Sequence, residues 1–159
     1  MIKRIKNEGG LTLVELLLSL SIMLIISAVA YFVFLNGLNS YKKTYTETLI
    51  RDEADVIMTQ FMNVVYPAKD ALLSTDKNNV IILDKGKKTE QKFGFDGSNA
   101  VLNSTALNNS DFDLSGSVLE LDTTANTIKI KMKIKSTKSD KAKPLALNSQ
   151  ISLLGGGGN

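Results

Sequence analysis

From Leu16 to Leu35 the chain runs 20 residues without a charged side chain. As a helix rising about 1.5 Å per residue, such a run matches the ~30 Å hydrocarbon core of a bilayer. A domain of 159 residues has too little interior to hide a helix that is apolar on every side. The run therefore reads as a membrane span. Ser19, Ser21 and Ser27 do not oppose this, because a serine hydroxyl can bond back to a helical carbonyl. Lys3, Arg4 and Lys6 precede it, and a basic stub of this kind stays cytoplasmic, so the following chain is expected to face outward. Residues 11–35 hold one charged side chain, Glu15, whereas residues 36–159 hold 30.

Composition narrows the chemistry. The chain has neither Cys nor His. This removes disulfides, a thiolate nucleophile, Cys-ligated metal sites, and the commonest general base. No G-x-S-x-G, phosphate-binding glycine loop or spaced carboxylate pair stands out, so no enzyme activity and no cofactor are expected. The net charge of +3 is too small to imply nucleic acid by itself.

Three readings of the N-terminus compete at this point. One is a plain signal anchor. Another is a secretory signal, since Ala28-Val29-Ala30 resembles an A-x-A cleavage site and would release an exported binding domain after Ala30. The third explains Gly9-Gly10 ahead of the apolar run and Glu15 inside its first turns. A carboxylate at the centre of a membrane helix costs about 2.5–3.5 kcal/mol, and such a group is tolerated when it has a partner.

The segment Gly10-Leu11-Thr12-Leu13-Val14-Glu15-Leu16-Leu17 resembles the processing site of type IV prepilins and pseudopilins. That pattern is a short basic leader ending in Gly, an apolar first mature residue, and Glu four positions on. Leu11 stands where Phe is commonest. The resemblance implies cleavage between Gly10 and Leu11 by a prepilin peptidase and methylation of the new terminus. It also implies pairing of Glu15 with the terminal amine of a neighbouring subunit. Major pilins often carry a Pro in the membrane half, and none occurs between Leu11 and Tyr66 here, which favours a minor pilin or pseudopilin.

Beyond the span, apolar residues keep helical spacing: Leu38, Tyr41, Tyr45 and Leu49, then Ile50, Ala54, Ile57, Phe61 and Val65. Asp52, Glu53 and Asp55 fall on the complementary side, and Pro67 is the stop. One helix over 11–66 is predicted, about 84 Å long at 1.5 Å per residue. Short strands follow. They are 80–83, a run through Phe93 and Phe95, a hairpin of 118–122 with 127–135, and an edge strand at Ile151, Leu153 and Leu154. Lys85-Gly86-Lys87 reads as a turn and 98–116, rich in Ser, Asn and Gly, as a long loop.

Two patterns suggest binding. Lys129, Lys131, Lys133 and Lys135 alternate with apolar residues, and Lys138, Lys141 and Lys143 follow with Asp140 as the sole acid. They form either a stripe for DNA or another polyanion, or a solvated strand face. No aromatic residue is interleaved to stack on bases. Asp111, Asp113, Ser115 and Asp122 match the start and twelfth place of a calcium loop, with Asp where a bidentate Glu is usual. The alternative is an acidic Asx-turn loop.

The expected fold is α+β and pilin-like, a long N-terminal transmembrane and amphipathic helix packed on a small antiparallel sheet of four or five strands. The expected parts are a cleaved leader (1–10), a transmembrane assembly segment (11–35), the amphipathic continuation (36–66), a β domain (68–154) and a glycine tail (155–159). The expected role is a structural subunit of a bacterial type IV pilus-like filament, serving competence, adhesion or secretion. Its partners would be other pilin subunits, prepilin peptidase and the membrane, with DNA an open addition. The β domain is expected outside a single-pass cell membrane and later on an extracellular filament.

Overall fold

A computed structural model describes residues 12–74 and 79–153. Gly10, Leu11 and Leu154 lie outside the described residues. The chain divides into two compact units, Met1–Lys42 and Lys43–Asn159. Helix α1 covers Leu13–Val65. It is long and apolar enough to cross a membrane, and the apolar side chains from Leu13 to Phe34 are exposed in the isolated chain. Two of the serines, Ser19 and Ser21, donate to the carbonyls of Leu16 and Leu17, so their hydroxyls are satisfied within the helix.

In the second unit the helix buries Ile50, Ala54, Ile57, Met58, Phe61 and Val65. That is the second predicted stripe, with Met58 added. Tyr45 and Leu49, from the first stripe, remain exposed. The helix closes before Pro67, with Tyr66 N–H donating to the Met62 carbonyl (3.0 Å).

Among the described residues nine strands follow, not four or five. β1 (Ala71–Leu73), β2 (Val80–Leu83), β3 (Gln91–Asp96), β4 (Asn99–Leu102) and β5 (Thr105–Ala106) form an antiparallel meander. β6 (Phe112–Asp113), β7 (Val118–Asp122), β8 (Thr127–Ser136) and β9 (Leu145–Ser152) form a second sheet, in which β8 pairs antiparallel with the other three. The core joins the helix stripe to Ile81, Leu83, Phe93 and Phe95 of the first sheet. It also takes in Leu119, Ile128, Ile130, Met132, Ile134 and Ile151 of the second. The Phe61 ring meets Phe93 and Phe95 edge-on, at centroid distances of 4.9 and 5.6 Å.

The stretch 98–116 is the principal correction to the sequence reading, because it contains β4, β5 and β6. Its polar residues close turns and cap strands. Asn103 and Ser104 both take positive φ (50° and 69°), the requirement of a two-residue hairpin of the I′ kind. The buried side chain of Asn108 accepts from Ala100 N–H (2.9 Å) and donates to the Phe112 carbonyl (3.1 Å), tying β4 to β6. The last strand also starts earlier than predicted, at Leu145 directly after Pro144, and ends before Leu153.

Gly94 has a steric reason to be glycine. A Cβ there would lie 2.1 Å from the Asn79 carbonyl oxygen and 2.7 Å from Val80 Cα. The same carbonyl accepts the Phe95 N–H at 2.9 Å, so the close approach is held by a hydrogen bond. Gly97 has a positive φ (62°) but open space around it. Gly94→Ala is expected to lower the melting temperature more than Gly97→Ala, whose strain is about 1–2 kcal/mol. Phe61→Ala should cost about 3–5 kcal/mol in chemical denaturation, as other large-to-small changes in a closed core do.

Candidate processing and assembly segment and the charged sheet

The first described residue of the N-terminal segment, Thr12, is the N-cap of α1. Its hydroxyl oxygen accepts the Glu15 N–H (3.3 Å), and the Glu15 carboxylate reaches back to the Thr12 N–H (2.9 Å) and hydroxyl (3.0 Å). The Leu16 N–H donates to the Thr12 carbonyl (3.1 Å), the first bond of the helical ladder. This is a capping box, T-x-x-E, in which each side chain satisfies a backbone donor of the other. The sequence reading singled out Glu15 and passed over Thr12, although the Thr-x-x-Glu spacing ahead of an apolar run is itself the signal. Glu15 also places a negative charge at the positive end of the helix dipole. Within a single chain, then, the carboxylate already has two donors.

The β8 alternation holds as predicted. Ile128, Ile130, Met132 and Ile134 are buried, and the lysines between them point away from the core. What the spacing could not show is the neighbouring strand. Lys129 pairs with Asp122 (3.4 Å), Lys131 with Glu120 (2.5 Å) and Lys135 with Asp113 (3.0 Å), while Lys138 beyond the strand pairs with Asp111 (2.5 Å). Lys133 lies instead beside the 114–117 turn, where both its backbone groups bond to Ser117 Oγ (2.9 and 3.1 Å). The lysine row thus runs beside a carboxylate row contributed by β6, β7 and the residues next to them. At their exposures each pair is worth little individually.

The four residues of the calcium pattern fall in the same ledger. Asp111 and Asp113 serve lysines, and Asp113 also accepts the N–H (2.8 Å) and hydroxyl of Ser115. Asp122 lies at the far end of β7, accepting the Ala125 N–H (3.0 Å). These are Asx-turn and ion-pair roles, and among the described residues no group of three metal-ligating side chains converges.

A second carboxylate site was not visible in sequence. Asp84 ends the apolar run of β2, takes a positive φ (48°) and is 6% exposed. Its carboxylate accepts the N–H groups of Lys69 (3.2 Å) and Asp70 (3.3 Å), the Thr89 hydroxyl (3.2 Å) and the Lys87 ammonium (3.1 Å). The Lys87 ammonium also reaches Asp70 (2.5 Å). Asp84 therefore fastens the chain leaving α1 to the β2–β3 turn. The Lys87 hydrogen bond is the main cause that holds its carboxyl below the usual range, and the same two carboxylates raise Lys87.

Hydrogen bonds from Ser115, then Lys135, lower Asp113 to about 2. A carboxyl depressed in the folded state stabilises the fold above its unfolded value, about 4, and that contribution is lost as pH falls through the folded value. Asp84, Asp122 and Glu90 shift in the same direction. The melting temperature should therefore fall steeply between about pH 4 and pH 2, and Asp113→Asn should lower it at neutral pH while flattening that fall. Thermal denaturation followed by circular dichroism across this range is the check.

Residues 5–31 match the family model described as the prokaryotic N-terminal methylation motif. Compared with curated proteins and with solved structures, the chain has no match in either. The matched segment takes in Gly10, Leu11, the Thr12–Glu15 cap and most of the uncharged run. That motif is the signature of type IV prepilins and pseudopilins, and in this chain it runs into a helix long and apolar enough to cross a membrane.

Proposed function

We propose that the chain is a minor pilin or pseudopilin, a structural subunit of a type IV pilus-like filament in a bacterial envelope. A prepilin peptidase cuts between Gly10 and Leu11, the new terminus is methylated, and subunits polymerise through the N-terminal helix. The single observation that carries this reading is the methylation motif over 5–31, running into an apolar helix of membrane length. In the filament, Glu15 exchanges its capping contacts for the terminal amine of a neighbouring subunit. Pairing the two charges offsets the cost of holding either one in an apolar filament interior, so the pair sets register more than it adds stability. The sheet unit is carried outside the membrane, in service of DNA uptake, adhesion or secretion.

Mass spectrometry of the N-terminus tests the processing. A mature chain that starts at methylated Leu11 is expected. A start at Tyr31 indicates an exported domain released by signal peptidase, and a start at Met1 a plain anchor. The continuity of α1 through Ala28–Ala30 speaks against the second of these starts, since a peptidase needs an extended scissile segment. For assembly, Glu15→Val should still insert into membranes yet fail to enter sheared filaments, as measured by fractionation. Filament incorporation at the normal level would refute the role given to Glu15.

A further inference from the structure

Among the described residues of the second unit, one sheet edge lacks the usual blunting. β1 and β5, the edges of the first sheet, are three and two residues long. In the second sheet, β6 is two residues long and β7 carries Glu120 and Asp122. Short or charged edges keep a strand from pairing further. β9 has neither protection. It runs eight residues, Leu145–Ser152, without a charge or a proline. Its register on β8 is unbroken from Thr127↔Ser152 to Ile134↔Leu145, so no bulge interrupts it.

The direction of its backbone groups follows from one bond. One step beyond the strand and in the same register, Leu153 N–H donates to the Asn126 carbonyl (3.0 Å), so the odd-numbered residues of β9 turn their backbone toward β8. The backbone groups of Ala146, Asn148, Gln150 and Ser152 therefore point away from β8, and no strand among the described residues pairs with them. On the inward face the cover thins at the same margin. Ile128, Ile130, Met132 and Ile134 of β8 are buried, whereas Leu145, Leu147 and Ser149 beside them are half-buried. Charge is uneven along the edge. At the Leu145 end, Lys143 and Arg51 line a cavity of about 210 Å³ with Leu145, and Lys133 lies opposite Ala146. These three cations have no carboxylate partner among the described residues. Glu47 is the acid lining that cavity, and its carboxylate accepts the Lys143 N–H (3.4 Å). At the Ser152 end, Lys129 is already paired with Asp122 (3.4 Å).

We propose that β9 is a docking edge for an extended segment of another protein, which joins the sheet as an antiparallel strand with acidic side chains at its C-terminal end. Antiparallel addition continues the pattern of every strand pair in the unit. Main-chain bonds to Ala146, Asn148, Gln150 and Ser152 supply affinity, and side chains on alternate positions supply choice of partner. Apolar side chains opposite Leu145 and Leu147 complete the inward face. Antiparallel pairing sets the C-terminal end of the segment beside Leu145, where its carboxylates meet Lys133, Arg51 and Lys143. A second copy pairing through its own β9 does not fit this edge as well, because that strand has no carboxylate to offer them.

The probe is a capped eight-residue peptide, the length of β9, that alternates threonine with valine and has glutamate in place of its last two threonines. Added to the full chain in detergent micelles, it should slow amide exchange at Ala146, Asn148, Gln150 and Ser152 by about tenfold or more, as read by NMR. Leu147 and Ser149, already bonded to β8, should change little. N-methylation of the peptide's threonines and glutamates, whose N–H groups face β9 in this pairing, should abolish the protection, and N-methylation of its valines should leave it. Lysine in place of the two glutamates should weaken binding by about three- to tenfold, and that difference should vanish when Arg51→Gln, Lys133→Gln and Lys143→Gln are combined. Unchanged exchange at the four amides overturns the proposal, as does equal protection by the peptide methylated on its polar residues. Equal affinity of the lysine peptide overturns the acidic partner. Protection of the four amides in the chain alone that is lost on dilution assigns the edge to a second copy and likewise overturns the proposal.

Discussion

The fold of the second unit depends on one apolar stripe, Ile50–Ala54–Ile57–Phe61–Val65, being covered from both sheets. Neither sheet closes on itself. The first is a meander of short strands, and the second is organised around β8 with its neighbours on either side. Each has a buried face only because the helix, or the other sheet, lies over it. Phe61 is where this meets most directly, packed edge-on against two rings of β3. At about 25 cal/mol per Å² of apolar surface, the burial of such side chains is what offsets the ordering entropy of so many two- to five-residue strands. Short strands are tolerable here because hydrogen bonding is completed by side chains. Asn108 spans β4 and β6, Ser117 fills the gap between β6 and β7, and Asp84 closes the corner after the helix.

A second constraint governs the N-terminal segment. A carboxylate at the start of a membrane helix is costly unless it is bonded, and the Thr12–Glu15 box bonds it within its own chain. The bonds are local and, among the described residues, involve no cation. On β8, likewise, three of the four lysines that look like a binding surface in sequence are met by carboxylates from the adjoining strands β6 and β7.

The elements legible in sequence were those whose signal is periodic or long. The apolar run, the helix through Val65, the stop at Pro67, the β7–β8 hairpin and the two-sided alternation of β8 all follow from patterns of period 3.6 or 2. The stretch 98–116 was not legible. Its strands are two to four residues long, too short to show a period, and the Asn and Ser residues that read as loop are what shape its turns. β9 is longer than its sequence suggests because Ala146 on its exposed face and Ser149 on its inward face break the apolar alternation. The capping role of Thr12 was legible and overlooked, since its spacing to Glu15 is complete in sequence.

By itself, the sequence determined that this chain has a membrane-length apolar helix behind a basic stub, a Gly-Leu-x-x-x-Glu processing pattern, and an amphipathic helix followed by β-structure. These are properties of contiguous residues, so local spacing fixes them. Only the tertiary structure decided which charges count. Asp84 became a buried clamp, Lys129, Lys131 and Lys135 of β8 became paired, and Lys143 was brought beside Arg51 and Glu47. Those outcomes depend on strand register and on contacts up to 96 residues apart, such as Lys143 N–H with Glu47. Charge interactions fall off with distance in space, and sequence separation carries no record of that distance until the chain has folded.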